Sequence, residues 1–264
     1  MTELLGLPYS PWSEKARWAL DARRVPYRSR TYAPIVGEPR LRLKLRKLRG
    51  PVTVPVLTDD DGRAIGDSAD IARWADGRGE GPALFPADLA PQVDAFVALS
   101  ERGLAAGRGL SLARMLEDDE ALGEMVPPPL RRSLGRAGAR IAAIGIRRTL
   151  RKYGADGKER ASLERELSSV LDELRAALAR APEGTPKTLL GRFTFADVAM
   201  TQVLAFVEPP VFGLRIARAS RRSFTDPPMR ERYADLLAWR NAVYEAHRPR
   251  PRELRQKERA GHTA

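Results

Sequence analysis

The chain has 264 residues, 43% of them hydrophobic, no cysteine and a formal net charge of +12 at pH 7. The lack of cysteine excludes disulfides, thiolate metal sites and a thiol nucleophile from the protein itself. There is no apolar run of about 18 residues to span a membrane and no basic-then-apolar leader, so a cytoplasmic protein is expected.

The sequence opens on an apolar strand, Thr2 to Leu7, followed by a turn and a helix from Pro11 to about Arg23. Ser10 is a good N-cap, Pro11 suits the first helical position, and Glu14 suits the positive end of the helix dipole. Ala16, Ala19 and Leu20 mark the buried stripe. Val25 to Tyr32 alternates as a second strand, and the basic stretch Arg40 to Arg49 reads as a short helix or irregular turn. Pro55 to Thr58 and Arg63 to Ile65 form a hairpin across Asp59-Asp60-Asp61-Gly62. Ser68 to Asp76 is the next helix, and 77–82 is a linker by composition.

Everything after about Pro86 reads as helix: Pro91 to about Arg108, Ala121 to Met125, Leu130 to about Tyr153, Glu159 to Ala181, Phe195 to Val207 and Met229 to about His247. The pattern βαβ then ββα, followed by helices alone, predicts an α/β domain at 1–80 and an all-α domain at 86–248. A basic, flexible tail follows at 249–264, its proline–arginine pattern opening at Arg248. Thr194 and Asp197 stand as a capping box at the start of the 195–207 helix, a structural role. Both histidines, His247 and His262, lie at or in the tail, so no histidine base or metal site is expected.

A hydroxyl at a helix N-terminus, presented by a strand end, is a seat for an anion, a thiolate included. The run Ser10-Pro11-Trp12-Ser13 stands where thioredoxin-fold proteins carry Cys-x-x-Cys, with serine in both places. Together with Lys15, Arg17, Ala19 and Leu20 it resembles the start of serine-type glutathione transferases, the tau and zeta classes above all. Val52-Thr53-Val54-Pro55-Val56-Leu57 is similar to that family's Val-Pro-Val-Leu segment, whose proline is cis. Asp67-Ser68 resembles its acidic-Ser turn, and Thr194–Asp197 its capping box. Order and spacing agree over residues 2–76 and 193–207, whereas elsewhere only the architecture does.

The resemblance implies a thioredoxin-like domain, an all-helical second domain and a homodimer. It implies glutathione as co-substrate, no metal, and conjugation of its thiolate to a small hydrophobic electrophile. Ser10 would donate a hydrogen bond to the sulfur, or, more plainly, only cap its helix; Tyr9 is its rival. Glutathione contacts would come from Trp12, Ser13, Arg42, Thr53, Val54, Pro55, Asp67 and Ser68. Val54 would pair with the tripeptide as an added strand, and Asp67 and Ser68 would take its γ-glutamyl end. The family often has lysine two residues before the cis proline. This chain has Thr53, which leaves the glycyl carboxylate to Arg42, Lys44 or Arg46. Tyr9, Leu104, Leu112, Met115 and Leu116 are the substrate-pocket candidates, each also readable as core.

Arg132, Arg136 and Arg140, continued by Arg147, Arg148, Arg151 and Lys152 with Ile141, Ile144 and Leu150 between, form a basic amphipathic pattern that the resemblance does not explain. It reads as a solvated helix face, or else as a surface for lipid, an anionic ligand or a partner. The alternative for the whole chain is a non-catalytic binding protein on the same fold. A nucleic-acid role is disfavoured, because no zinc pattern, aromatic RNA-binding signature or compact helix-turn-helix accompanies the charge.

Overall fold

The computed structural model describes residues 1–34, 37–47, 49–126 and 128–249, and leaves aside the side chains at 128–130, 132, 134 and 136. Four strands come first: β1 (Glu3–Gly6), β2 (Arg28–Thr31), β3 (Val56–Thr58) and β4 (Ala64–Gly66), in spatial order β2-β1-β3-β4. β2 runs parallel to β1 after the crossover helix α1 (Pro11–Ala22), with Leu4 beside Ser29. β3 lies antiparallel to β1, Leu5 opposite Val56, and β4 returns as a hairpin. The hairpin turn is organised by Asp59, whose carboxylate accepts from the amides of Asp61 and Arg63. α2 (Glu38–Lys44) precedes β3 and α3 (Ser68–Asp76) follows β4. This is the thioredoxin-like arrangement that the βαβ–ββα pattern predicts.

β2 starts three residues later than expected. Val25 donates its amide to Leu20 O at 2.9 Å, closing the turn after α1, and Pro26 has no N–H for a ladder.

The remaining described residues are helical: α4 (Ala90–Leu116), α5 (Asp119–Glu124), α6 (Pro128–Lys152), α7 (Arg160–Arg180), α8 (Phe195–Val203), α9 (Arg218–Phe224), α10 (Pro227–Arg232) and α11 (Ala234–His247). None of them is long and apolar enough to cross a membrane. α4 runs eight residues past the predicted end. Glycine weakens a helix in isolation, but in α4 it lets neighbouring helices approach closely: a Cβ on Gly103 would sit 2.6 Å from Val203 and 2.9 Å from Val170. α9 was not expected, since Arg218–Phe224 has no clear apolar stripe. It is held by Glu124, whose carboxylate accepts from the amides of Ala219 and Ser220 and from the Ser220 hydroxyl. The single C-terminal helix predicted from Met229 is two helices, broken at Tyr233 (φ −115°), which is fully buried with its hydroxyl on Asp172 at 3.0 Å.

Leu104, Leu110, Leu167, Leu171, Met200 and Leu204 belong to the core of the helical part. A second cluster joins the two parts: Trp18, Ala19, Ala69 and Ala72 from α1 and α3 pack with Val93, Phe195, Val198 and Tyr244. Arg248 is not part of a loose tail. It is buried, its guanidinium bonded to Glu14 at 2.7 Å and Asp21 at 2.6 Å, while the Trp18 indole donates to His247 O. Residues 250–264, and with them His262, lie outside the described residues. So do the side chains of Arg132 and Arg136. On α6 the kink falls at Gly135, Ile141 and Ile144 are exposed, and Leu150 is buried.

Candidate active site

Ser10 caps α1 from an extended conformation (φ −88°, ψ 124°), its oxygen accepting from the Ser13 amide at 3.4 Å. No described residue accepts the hydroxyl proton of Ser10, so that proton is available to a ligand. Ser13 has a different task. It is fully buried, and its oxygen accepts from the Leu7 amide at 3.0 Å. Gly6 makes the room, since a Cβ there would lie 2.8 Å from the Ser13 oxygen. Ser13 thus locks the strand–helix turn that presents Ser10.

Tyr9 is half-buried against the helical core, and burial pushes its phenol above the usual range, which keeps it neutral. Trp12 turns toward α4. Its indole N–H donates to Glu101 at 2.7 Å, and its ring packs edge-on to Phe206 at 6.5 Å. The same Glu101 carboxylate takes the buried Lys15 ammonium at 2.5 Å. A single acidic residue of α4 therefore fixes two side chains of the first turns of α1.

The Val54–Pro55 peptide is cis, beside the strand that carries the Ser10 turn. Val54 is half-buried, and neither its N–H nor its C=O has a partner among the described residues. Native backbone groups in such places are normally paired, so an unpaired N–H and C=O side by side form a strand edge open to an extended peptide. Thr53 is exposed and Pro55 is buried.

Asp67 caps α3 through its carboxylate, which accepts from the Ala69 amide at 2.7 Å. Its backbone (φ 66°, ψ 140°) lies where only glycine is comfortable, a strain of about 1–3 kcal/mol of the kind held at ligand-binding turns. Ser68 follows with its side-chain oxygen buried and, among the described residues, without a partner. Arg42 is engaged within its own segment, on Glu38 at 2.7 Å and on Gly50 O at 3.0 Å. Its contact holds the Glu38 carboxyl below the usual range.

Two of the expected pocket residues do not line an open surface. Leu104 and Met115 are 0% and 3% exposed, because they sit on the face of α4 that packs into the helical core. Leu112 and Leu116 are half-buried at its edge.

The residues that sequence reasoning did not connect to the Ser10 turn and the cis-proline loop come from the helical part. Lys152 at the end of α6 donates to Val52 O at 2.6 Å, within the loop before the cis proline. Arg148 pairs with Glu38 at 3.7 Å. The guanidinium carbon of Arg108 lies 4.7 Å from the Trp12 ring centroid and 3.6 Å from that of Tyr153. Nothing in the spacing of the sequence joins 108 and 152 to 12 and 52, because the link is tertiary. No described group of His, Cys, Asp and Glu is arranged to hold a metal.

The site thus combines a thioredoxin-like sheet, a capped helix start beside a cis-proline loop, and an all-helical second part. Residues 9–78 match the family model of the glutathione S-transferase N-terminal domain. Among solved structures, a glutathione S-transferase of Ceriporiopsis subvermispora in complex with glutathione is similar over 95% of this chain and 98% of its own, at 17% identity and TM-score 0.61. One from Methylobacillus flagellatus with glutathione bound aligns over 92% and 94% at 16% identity, TM-score 0.55. One from Methylobacterium radiotolerans, in complex with glutathione sulfonate, aligns over 96% and 92% at 18% identity, TM-score 0.55. At such identities these structures bear on the fold. No curated protein sequence matches the chain.

Proposed function

We propose that the protein conjugates the thiolate of glutathione to a small electrophile, with Ser10 holding the sulfur. The observation that carries this is the Ser10 hydroxyl: it stands at the N-terminus of α1 with its proton uncommitted, on the turn that Ser13 locks. A thiol free in solution titrates around 8.5. A hydroxyl donor and the positive end of a helix both favour its ionised form. The thiol proton passes to solvent, the sulfur forms a bond to the electrophilic carbon, and the leaving group departs with its electron pair.

The remaining contacts follow from the same geometry. The unpaired N–H and C=O of Val54 take the cysteinyl part as an added strand. The start of α3, with the strained Asp67 and the amide and unpartnered hydroxyl of Ser68, takes the γ-glutamyl end. Trp12 and Leu112, both half-buried, offer the apolar side of the site, with Phe206 packed behind Trp12. We read the protein as a cytoplasmic homodimer, as the family resemblance implies.

The test is a thermal shift of wild type and Ser10→Ala with glutathione, alongside turnover of chlorodinitrobenzene. Glutathione stabilising both proteins, with turnover lost only in Ser10→Ala, supports the reading. Stabilisation with no turnover in either favours a non-catalytic binding protein, and no shift in either reduces the assignment to fold.

A further inference from the structure

We propose that Arg108 is an anion-recognising residue on the second-substrate side of this cleft, and that the electrophile carries a carboxylate or a similar small anionic group. As a statement about the reaction this rests on the transferase reading; as a statement about binding it stands alone.

Among the described residues, the cations near the Ser10 turn and the cis-proline loop have partners, with one exception. Lys15 is on Glu101, Arg42 and Arg148 are on Glu38, and Lys152 is on Val52 O. Arg108 differs from all of them. It makes no ion pair and no hydrogen bond among the described residues, although it is more than half withdrawn from solvent. Its nearest acidic neighbour, Glu101, has its two oxygens taken by Lys15 and the Trp12 indole. A cation so placed is normally paired, because desolvation without compensation is costly. The rings of Trp12 and Tyr153 return only part of that cost.

The neighbours of Arg108 set where an anion bound to it would lie. Trp12 is two residues from Ser10, at the start of the same helix, and Tyr153 follows Lys152, which reaches the loop before the cis proline. Arg108 therefore lies between the turn that presents the sulfur and the segment that closes the cleft from the helical side. One helical turn further along α4 stands the half-buried Leu112, and Phe206 packs edge-on to Trp12. With the rings against its guanidinium, what Arg108 still has to offer is its N–H fork, the geometry that suits a carboxylate. Aromatic neighbours plus one unpaired fork describe a flat, apolar ligand with an anionic end.

The experiment is calorimetric titration of the full-length protein with 4-nitrobenzoate and with the uncharged 4-nitrobenzamide, repeated for Arg108→Met and Arg108→Lys. We expect wild type to bind the acid at least about tenfold more tightly than the amide, the size of one charge-assisted hydrogen-bonded contact. Arg108→Met should lose that preference, and Arg108→Lys should regain part of it. Glutathione affinity should be the same in wild type and Arg108→Met. Equal affinity of wild type for acid and amide overturns the proposal with no variant needed. An acid preference that survives in Arg108→Met also overturns it, as does a tenfold loss of glutathione affinity there, which would assign the cation to glutathione itself. If wild type shows the preference while glutathione binds to neither protein, the transferase reading falls and the anion site stands.

Discussion

Replacing Arg248 by methionine leaves two buried carboxylates short of a cation. The guanidinium is 7% exposed and bonds Glu14 at 2.7 Å and Asp21 at 2.6 Å, tying the end of α11 to α1 across the two parts of the chain. Removing one partner of a buried pair costs about 3–5 kcal/mol, since the other charge stays desolvated. Here Glu14 keeps Arg17 at 2.8 Å, which places the expected loss near about 3 kcal/mol. For a chain of this size that is roughly 6–12 °C in melting temperature.

The pH dependence gives a second readout. Burial alone would raise the Glu14 carboxyl, but Arg248 and Arg17 outweigh it and hold Glu14 below the usual range; for Asp21 burial wins and its carboxyl is raised. A depressed carboxyl stabilises at neutral pH and loses that contribution in acid, whereas a raised one behaves in the opposite sense. Without Arg248 both carboxyls titrate upward, so the variant loses stability as pH rises from about 4. The gap from wild type is therefore expected to be widest near neutrality and to close toward acid. Scanning calorimetry at pH 7 and pH 5 checks this. A variant within about 1 kcal/mol of wild type at pH 7, or a gap that widens in acid, refutes the reasoning.

Asp197 is fully buried and accepts from the amides of Leu189 and Thr194 and from the Thr194 hydroxyl, so Asp197→Ala is expected to cost about 3 kcal/mol in a denaturant titration. Burial pushes its carboxyl up to about 6, so, measured against Asp197→Asn, wild type should gain stability as pH falls from above about 6 toward 4. Gly103→Ala places a Cβ 2.6 Å from Val203 and should cost about 1–3 kcal/mol by overpacking, again read in denaturant. Trp12→Phe removes the indole donor to Glu101 but leaves Lys15 there, so a loss of about 1 kcal/mol is expected in the same assay.

The parts of the fold that local chemistry specifies were legible. α3 begins and ends where Ser68 and Asp76 predict, Ser10 caps α1, and Thr194 and Asp197 form their reciprocal box with Phe195 at the first helical position. The hairpin needed only Asp59 to Gly62. What stayed hidden is what distant residues decide. Glycine at 103 and 107 weakens a helix in isolation but permits close packing in this one, and α9 owes its start to a carboxylate 95 residues earlier in the chain. Arg248 read as part of a polar tail because Glu14 and Asp21 lie on the other side of the sequence. The candidate site shows the same division: Ser10, Val54 and Asp67 stand in local motifs that the sequence displays, while Arg108 and Lys152 come near Trp12 and Val52 only through the packing of α4 and α6.

The role given to Ser10 is tested most directly by titrating the ultraviolet absorbance of the thiolate of bound glutathione against pH, in wild type and in Ser10→Ala. Wild type is expected to titrate below the value of about 8.5 for a free thiol. Ser10→Ala should move it upward by about one to two units, the equivalent of a single hydrogen bond to a charged group. Identical titrations in the two proteins, or a bound thiol that ionises like the free one, would contradict the account and leave Ser10 as a helix cap alone.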